Sequence, residues 1–140
     1  MDFLKEFNRL MEESKNIALA TSKDNLPNVR ILSYSYDAQD KGVVYFLTFK
    51  GTQKTFELEE NNKVSFTTIP DGTSEVIRVA DAIVSKCEGD IDKIKSIIIK
   101  RFPEQEALIS NSGHILDFYE IKFNEANVIL GPNKTGKVIL

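Results

Sequence analysis

A guanidinium at Arg30, a hydroxyl at Thr48 and the run Lys50-Gly51-Thr52-Gln53-Lys54 are the residues whose types and spacing could hold an anion. Gly51 ends an apolar run, and Thr52 suits the N-cap of a helix starting just after it. A helix start offers free backbone N–H groups and a partial positive charge, so a phosphate would rest there, flanked by Lys50 and Lys54. If Arg30 lies on an adjacent antiparallel strand, the guanidinium, one or two ammonium groups and the capped helix start together make a monophosphate site. The same residues also suit an ordinary strand–helix–strand connection with solvated lysines.

Other chemistry is sparse. Cys87 and His114 are each the sole residue of their kind, which leaves no intrachain disulfide, no His-pair metal motif and few nucleophile schemes. No metal site and no catalytic residue is assigned. Glu57, Glu59 and Glu60 read as the solvated face of a helix, with Lys54 and Lys63 nearby. Gly131 to Lys137 has the spacing of a Walker A loop. It fails on context: Val138 stands where a Ser or Thr must hold the metal ion, and too few residues follow for the required helix. Residues 131–140 are expected to be a flexible tail. Any redox chemistry would then belong to a bound cofactor.

The elements that must position these residues follow from periodicity. Phe3, Phe7, Leu10 and Met11 recur at helical spacing opposite charged residues, which predicts an amphipathic helix over about 2–15. Short strands are expected over 17–21 and from Pro27 onward, with polar turns between. In the second strand Asn28, Arg30, Leu32, Tyr34 and Tyr36 share one face; Val29, Ile31, Ser33 and Ser35 share the other. Val43 to Leu47 is β-branched and aromatic, a strand; a helix from Thr52 to Asn61-Asn62 and a strand over 64–68 follow. A long strand is expected over 75–86, with Val76, Arg78, Ala80, Ala82 and Val84 on one face throughout. Asp90 can cap a helix that the Phe102-Pro103 step breaks; a further turn or two over 104–109 precede strands over 115–123 and 127–130. Strands outnumber helices and arrive in hairpins, which favours a mainly β fold: a small antiparallel barrel with peripheral helices.

Length and composition bound the function. A chain of 140 residues suits one domain, 1–140. Its 41% hydrophobic and 28% charged residues are those of a water-soluble globular protein. A net charge of −3 with no long basic run argues against nucleic acid as a partner. The charged N-terminus is unlike a signal peptide, no apolar run is long enough to cross a membrane, and a cytoplasmic location is expected.

Three segments, IALATSKDNLPNVRILSYSYD, VVYFLTFKGTQKTFELEENNKVSFTT and EVIRVADAIV, resemble the pyridoxamine 5′-phosphate oxidase-like family, the FMN-binding split β-barrels. The likeness runs from about Phe3 to Leu130. It implies an antiparallel split barrel and a homodimer with FMN in clefts between the subunits. By position, Arg30 would contact the FMN phosphate, and Ile31, Leu32 and Ser33 would lie along the flavin and its ribityl chain. Leu47 and Thr48 would bracket the cofactor, and Thr52 and Lys54 match the family's phosphate-binding Ser and Lys. Gln53 stands where many members carry Arg, so one cation is lost that Lys50 would partly replace. Glu75 stands where the better-known oxidases have Gln. The Arg- and His-bearing segment by which those oxidases recognise pyridoxal is missing, so vitamin B6 oxidation is not expected.

The resemblance therefore implies an FMN-dependent oxidoreductase acting on a small molecule. Two alternatives belong to other classes: a flavin or haem carrier or sensor without turnover, with His114 as the one candidate His ligand, and a cofactor-free dimeric scaffold, which Gln53 and Glu75 would favour.

Overall fold

The computed structural model describes residues 1–140. Its helices and strands run α1 (Phe3–Glu13), β1 (Asn16–Lys23), β2 (Leu26–Ser33), β3 (Val43–Phe49), α2 (Gln53–Glu60), β4 (Lys63–Thr68), β5 (Val76–Lys86), α3 (Ile91–Arg101), α4 (Gln105–Ser112), β6 (Leu116–Phe123), β7 (Glu125–Gly131) and β8 (Lys134–Ile139). All pairings are antiparallel, and the sheet runs β2-β1-β4-β5-β6-β3, with β7 and β8 added through β5. It curls into a half-barrel, the split-barrel fold expected from the sequence.

Local chemistry explains most boundaries. Asp2 accepts from Lys5 N at the start of α1, and Asp90 accepts from Lys93 N at the start of α3, each occupying a free N–H of a first turn. Asp24 and Asn25 both take positive φ, 52° and 65°, as the two-residue turn joining β1 to β2 demands. Gly51, at φ 75°, reverses the chain between β3 and α2, where a side chain would be strained.

Two clusters of buried side chains share β3 and β6. Inside the barrel, Phe7 and Met11 of α1 are fully enclosed with Ile17, Leu19, Phe46, Ile77, Ile121 and Val128. On the outer side, Ile94 and Ile98 of α3 and Ile109 of α4 pack on Tyr45, Leu116 and Phe118. Burial of each such side chain contributes about 1.5–3 kcal/mol.

Several expectations need correction. The segment 131–140 is not a flexible tail: Lys134–Ile139 forms β8, paired with β7 from Glu125↔Ile139 to Gly131↔Lys134. Residues resembling a Walker A loop thus make the tip of a hairpin, whose Pro132-Asn133 turn interrupts the apolar pattern. Gly136 lies directly under the Phe3 ring, leaving no room there for a Cβ. The faces of β5 also do not alternate throughout. Ile77 and Val79 are buried, and so are Ala82 and Val84. The pairing with β4 slips by one residue between Val64 and Phe66, so Ala80 and Asp81 bulge opposite Ser65 and both halves keep an apolar face inward. The helix after Pro103 ends later than the expected residue 109, spanning Gln105–Ser112.

Candidate functional site

The barrel is open along one seam. Strands β2 and β3 are the two ends of the sheet path and do not form a ladder; only the isolated pair Ser35↔Tyr45 joins them. The adjacency expected of these strands is therefore a cleft between unpaired edges, since β1 and β6 take the other sides. Arg30 and Leu32 face it from β2, two residues and about 7 Å apart. Thr48, buried on β3, and α2 stand opposite.

One end of the cleft is polar and organised around Glu57. Far from being a solvated carboxylate, Glu57 is 6% exposed and accepts from four side chains. Arg30 Nη2 donates to Oε2 at 2.6 Å and Thr21 Oγ1 donates to the same oxygen at 3.0 Å. Asn28 Nδ2 and Gln53 Nε2 donate to Oε1 at 3.2 and 3.3 Å. The helix places Gln53 and Glu57 on one face, four residues apart, turned toward β2. Hydrogen bonding to Arg30, with further help from Asn28 and Thr21, holds the Glu57 carboxyl down at about 2 against the opposing effect of burial.

That shift has a sign and a window. A carboxyl depressed in the folded state stabilises the fold above its ordinary titration range, near pH 4.5, and loses this contribution as pH falls toward about 2. The Glu57→Gln variant should therefore show a flatter loss of stability between those limits than the unaltered protein. Parallel denaturant midpoints across that range would refute the assignment.

Three groups around Glu57 remain unmatched. Arg30 Nη1 and Thr52 Oγ1 are buried with no hydrogen-bond partner. Thr52 holds the N-cap position of α2, as expected, yet its side chain makes no capping bond. Lys54 has no carboxylate partner; its Nζ lies 5.7 Å from the centre of the Phe46 ring. Burial, and then the nearby Arg30 charge, lower its affinity for a proton. Each of the three is a donor suited to an oxyanion, and α2 has the turns needed for a dipole at its start. The residues present thus fit an anionic group.

The other end is apolar. A cavity of about 240 Å³ opens between the strand edges and the α3–α4 pair, lined in part by Leu32, Ser33, Leu47, Phe102, Gln105 and Leu108. Gln105 Oε1 is buried without a partner, an acceptor awaiting a donor.

Of the residues singled out from the sequence, the fold brings Arg30, Thr52, Gln53 and Lys54 to the polar end, with Thr48 on the β3 wall. Leu32, Ser33 and Leu47 line the apolar end. Two do not join them. Ile31 is 68% exposed on the outer face of β2, and Lys50 is an exposed turn residue whose backbone N–H bonds Ile115 O. Glu75 is engaged elsewhere, with Arg9 at 3.1 Å. The sequence reading missed Thr21, Asn28 and Glu57 as site residues, and Phe102, Gln105 and Leu108. The Gln53/Glu57 spacing was the available signal for Glu57; nothing local marks the α4 residues.

A family model described as pyridoxamine 5′-phosphate oxidase-like matches residues 10–134, nearly the whole half-barrel including both ends of the cleft. The chain belongs to this family. Solved structures share its fold at low identity. A haem-binding protein from Mycobacterium smegmatis superposes with a TM-score of 0.81 at 12% identity, over 99% of this chain and 58% of its own. A Clostridium acetobutylicum protein related to general stress protein 26 of B. subtilis gives 0.75 at 16%, over 100% and 97%. An FAD-binding protein from Mesorhizobium loti gives 0.66 at 18%, over 98% and 93%. No curated protein matches the chain. No helix in this family member is long and apolar enough to cross a membrane.

Proposed function

We propose that this family member binds FMN in the seam between β2 and β3 and uses it as an oxidoreductase on a small molecule. The observation that carries the reading is the pair of buried, unpartnered donors, Arg30 Nη1 and Thr52 Oγ1, beside Lys54. Together with the start of α2 they would hold the phosphate. Leu32, Ser33 and Leu47 would flank the ring system, and Gln105 Oε1 would accept from a ring N–H. When bound, the flavin supplies the hydride chemistry for which the chain offers no nucleophile or general base of its own. The FAD-binding neighbour supports a flavin on this fold.

We further propose a homodimer built on the outer face of β2, where Val29 and Ile31 are 64% and 68% exposed. Apolar exposure of that extent on an edge strand favours coverage by another chain. Ile31 would then belong to the interface rather than the ring pocket.

A second reading is haem carriage, favoured by the haem-binding neighbour and by an anion end that would equally suit a propionate. The visible spectrum of the purified protein, before and after addition of FMN and desalting, separates the two. Paired flavin bands that survive desalting are expected. A Soret band would point to haem, and a flat spectrum after FMN addition would refute the cofactor reading.

A further inference from the structure

Glu57 does more than hold Arg30 in place. An arginine at a phosphate subsite ordinarily presents its full charge to the ligand, but here one guanidinium nitrogen is already committed to a carboxylate at 2.6 Å. That carboxylate is saturated by Thr21, Asn28 and Gln53. Its position therefore does not depend on a ligand. Arg30 Nη1 is left buried without a partner of its own, and with Glu57 counted the net charge of Arg30, Glu57 and Lys54 is that of Lys54 alone.

We infer that Glu57 is a built-in counter-charge that orients Arg30 and weakens the hold on a dianionic phosphate, so that the flavin is exchanged rather than retained for the life of the protein. This rests on the FMN reading above and deepens it. A permanently seated cofactor would gain from two uncompensated cations. A flavin that must enter and leave gains from a site whose arginine is already compensated and ordered when empty. The buried guanidinium of Arg30 has its counter-charge in place before any ligand arrives, and little around it must rearrange on binding. Glu57 touches no ligand in this scheme; it is a positioning and affinity-setting residue.

The test is a set of equilibrium titrations by flavin fluorescence, with FMN and with riboflavin, which lacks the phosphate. In Glu57→Gln, which keeps the size and an acceptor for Arg30, FMN should bind about tenfold tighter while riboflavin binding stays the same, the gain expected from removing one charge near the phosphate. Arg30→Ala leaves the carboxylate unopposed and should lose FMN affinity. The double variant Arg30→Ala/Glu57→Gln should recover at least about tenfold of that loss, because it buries neither charge. If Glu57→Gln alone is unstable, the double variant carries the same test.

FMN binding that is unchanged or weaker in folded Glu57→Gln, or no recovery in the double variant, overturns the inference. Should FMN exceed riboflavin in an Arg30-dependent way while Glu57→Gln gains nothing, only the counter-charge falls. If FMN and riboflavin bind alike and Arg30→Ala changes neither, the phosphate site falls with it.

Discussion

Replacing Arg30 by alanine should lower stability by about 3 kcal/mol and abolish FMN retention on gel filtration. The stability loss arises at Glu57, not at the vacated surface. With Arg30 gone, a carboxylate that is 6% exposed keeps its neutral donors but has no opposite charge. Breaking one partner of a buried pair costs far more than the pair contributes, because the remaining ion cannot be resolvated. Its carboxyl, now held near about 2 chiefly by Arg30, should titrate well above that value in the variant, and acid unfolding should begin at higher pH. The ligand loss has two causes acting together: the Nη1 donor disappears, and the phosphate meets a bare negative charge. Denaturant titration and gel filtration with added FMN read the two effects separately. A variant that melts with the unaltered protein and elutes yellow would sink this account.

Arg101→Ala should cost about 3 kcal/mol, or roughly 10 °C in Tm for a domain of this size, despite lying outside the barrel. Helix α1 ends without a basic residue in its last turn, and its terminal carbonyls would be orphaned. Arg101, at the end of α3, supplies the missing donors. Its guanidinium reaches Glu12 O at 3.2 Å, Met11 O at 3.3 Å and Ser14 O. It also stacks 4.8 Å from the centre of the fully buried Tyr34 ring, whose hydroxyl donates to Met11 O at 2.8 Å. One side chain therefore caps α1 and ties α3 to the barrel. Because Ile98, Phe102 and Gln105 line the apolar end of the cleft, the loss should reach the ligand too, weakening riboflavin and FMN by the same factor. Arg101→Lys should recover only part of the stability, since an ammonium cannot span the carbonyls and stack on the ring at once. A Tm for Arg101→Ala within a degree or two of the unaltered protein would show that water replaces the guanidinium without cost.

These two arginines mark the boundary between what could be read along the chain and what could not. The amphipathic stripe of Phe7, Leu10 and Met11, the cap at Asp90, the helix start at Thr52, and the strand signals of residues 43–47 and 64–68 are local. Each follows from side-chain spacing or turn chemistry within a few residues, so helix and strand identities were legible. The likeness of three segments to a known family implied one site for Arg30, Thr52 and Lys54; in the fold Arg30 is bonded to Glu57 of α2, the helix that Thr52 and Lys54 begin. The last strand was missed because Lys134 to Lys137 carries too few apolar residues to show a period; only pairing with β7 makes it a strand. The faces of β5 were misassigned beyond Ala80 because a bulge shifts the alternation and is specified by the partner strand, not by β5 itself.

Glu57 is the clearest case. By sequence it is one of three acidic residues on a polar helix, and solvation is the ordinary fate of such a residue. What reversed this was the folding of β1 and β2 against α2, which brought Thr21, Asn28 and Arg30 to a carboxylate lying 27 to 36 residues further along the chain. The sequence by itself determined most of the elements and the family, and it singled out the cations Arg30 and Lys54. The tertiary structure alone decided that one of those cations is already answered from within, because charge compensation in a buried site depends on distance through space, and the order of residues along the chain does not carry that distance.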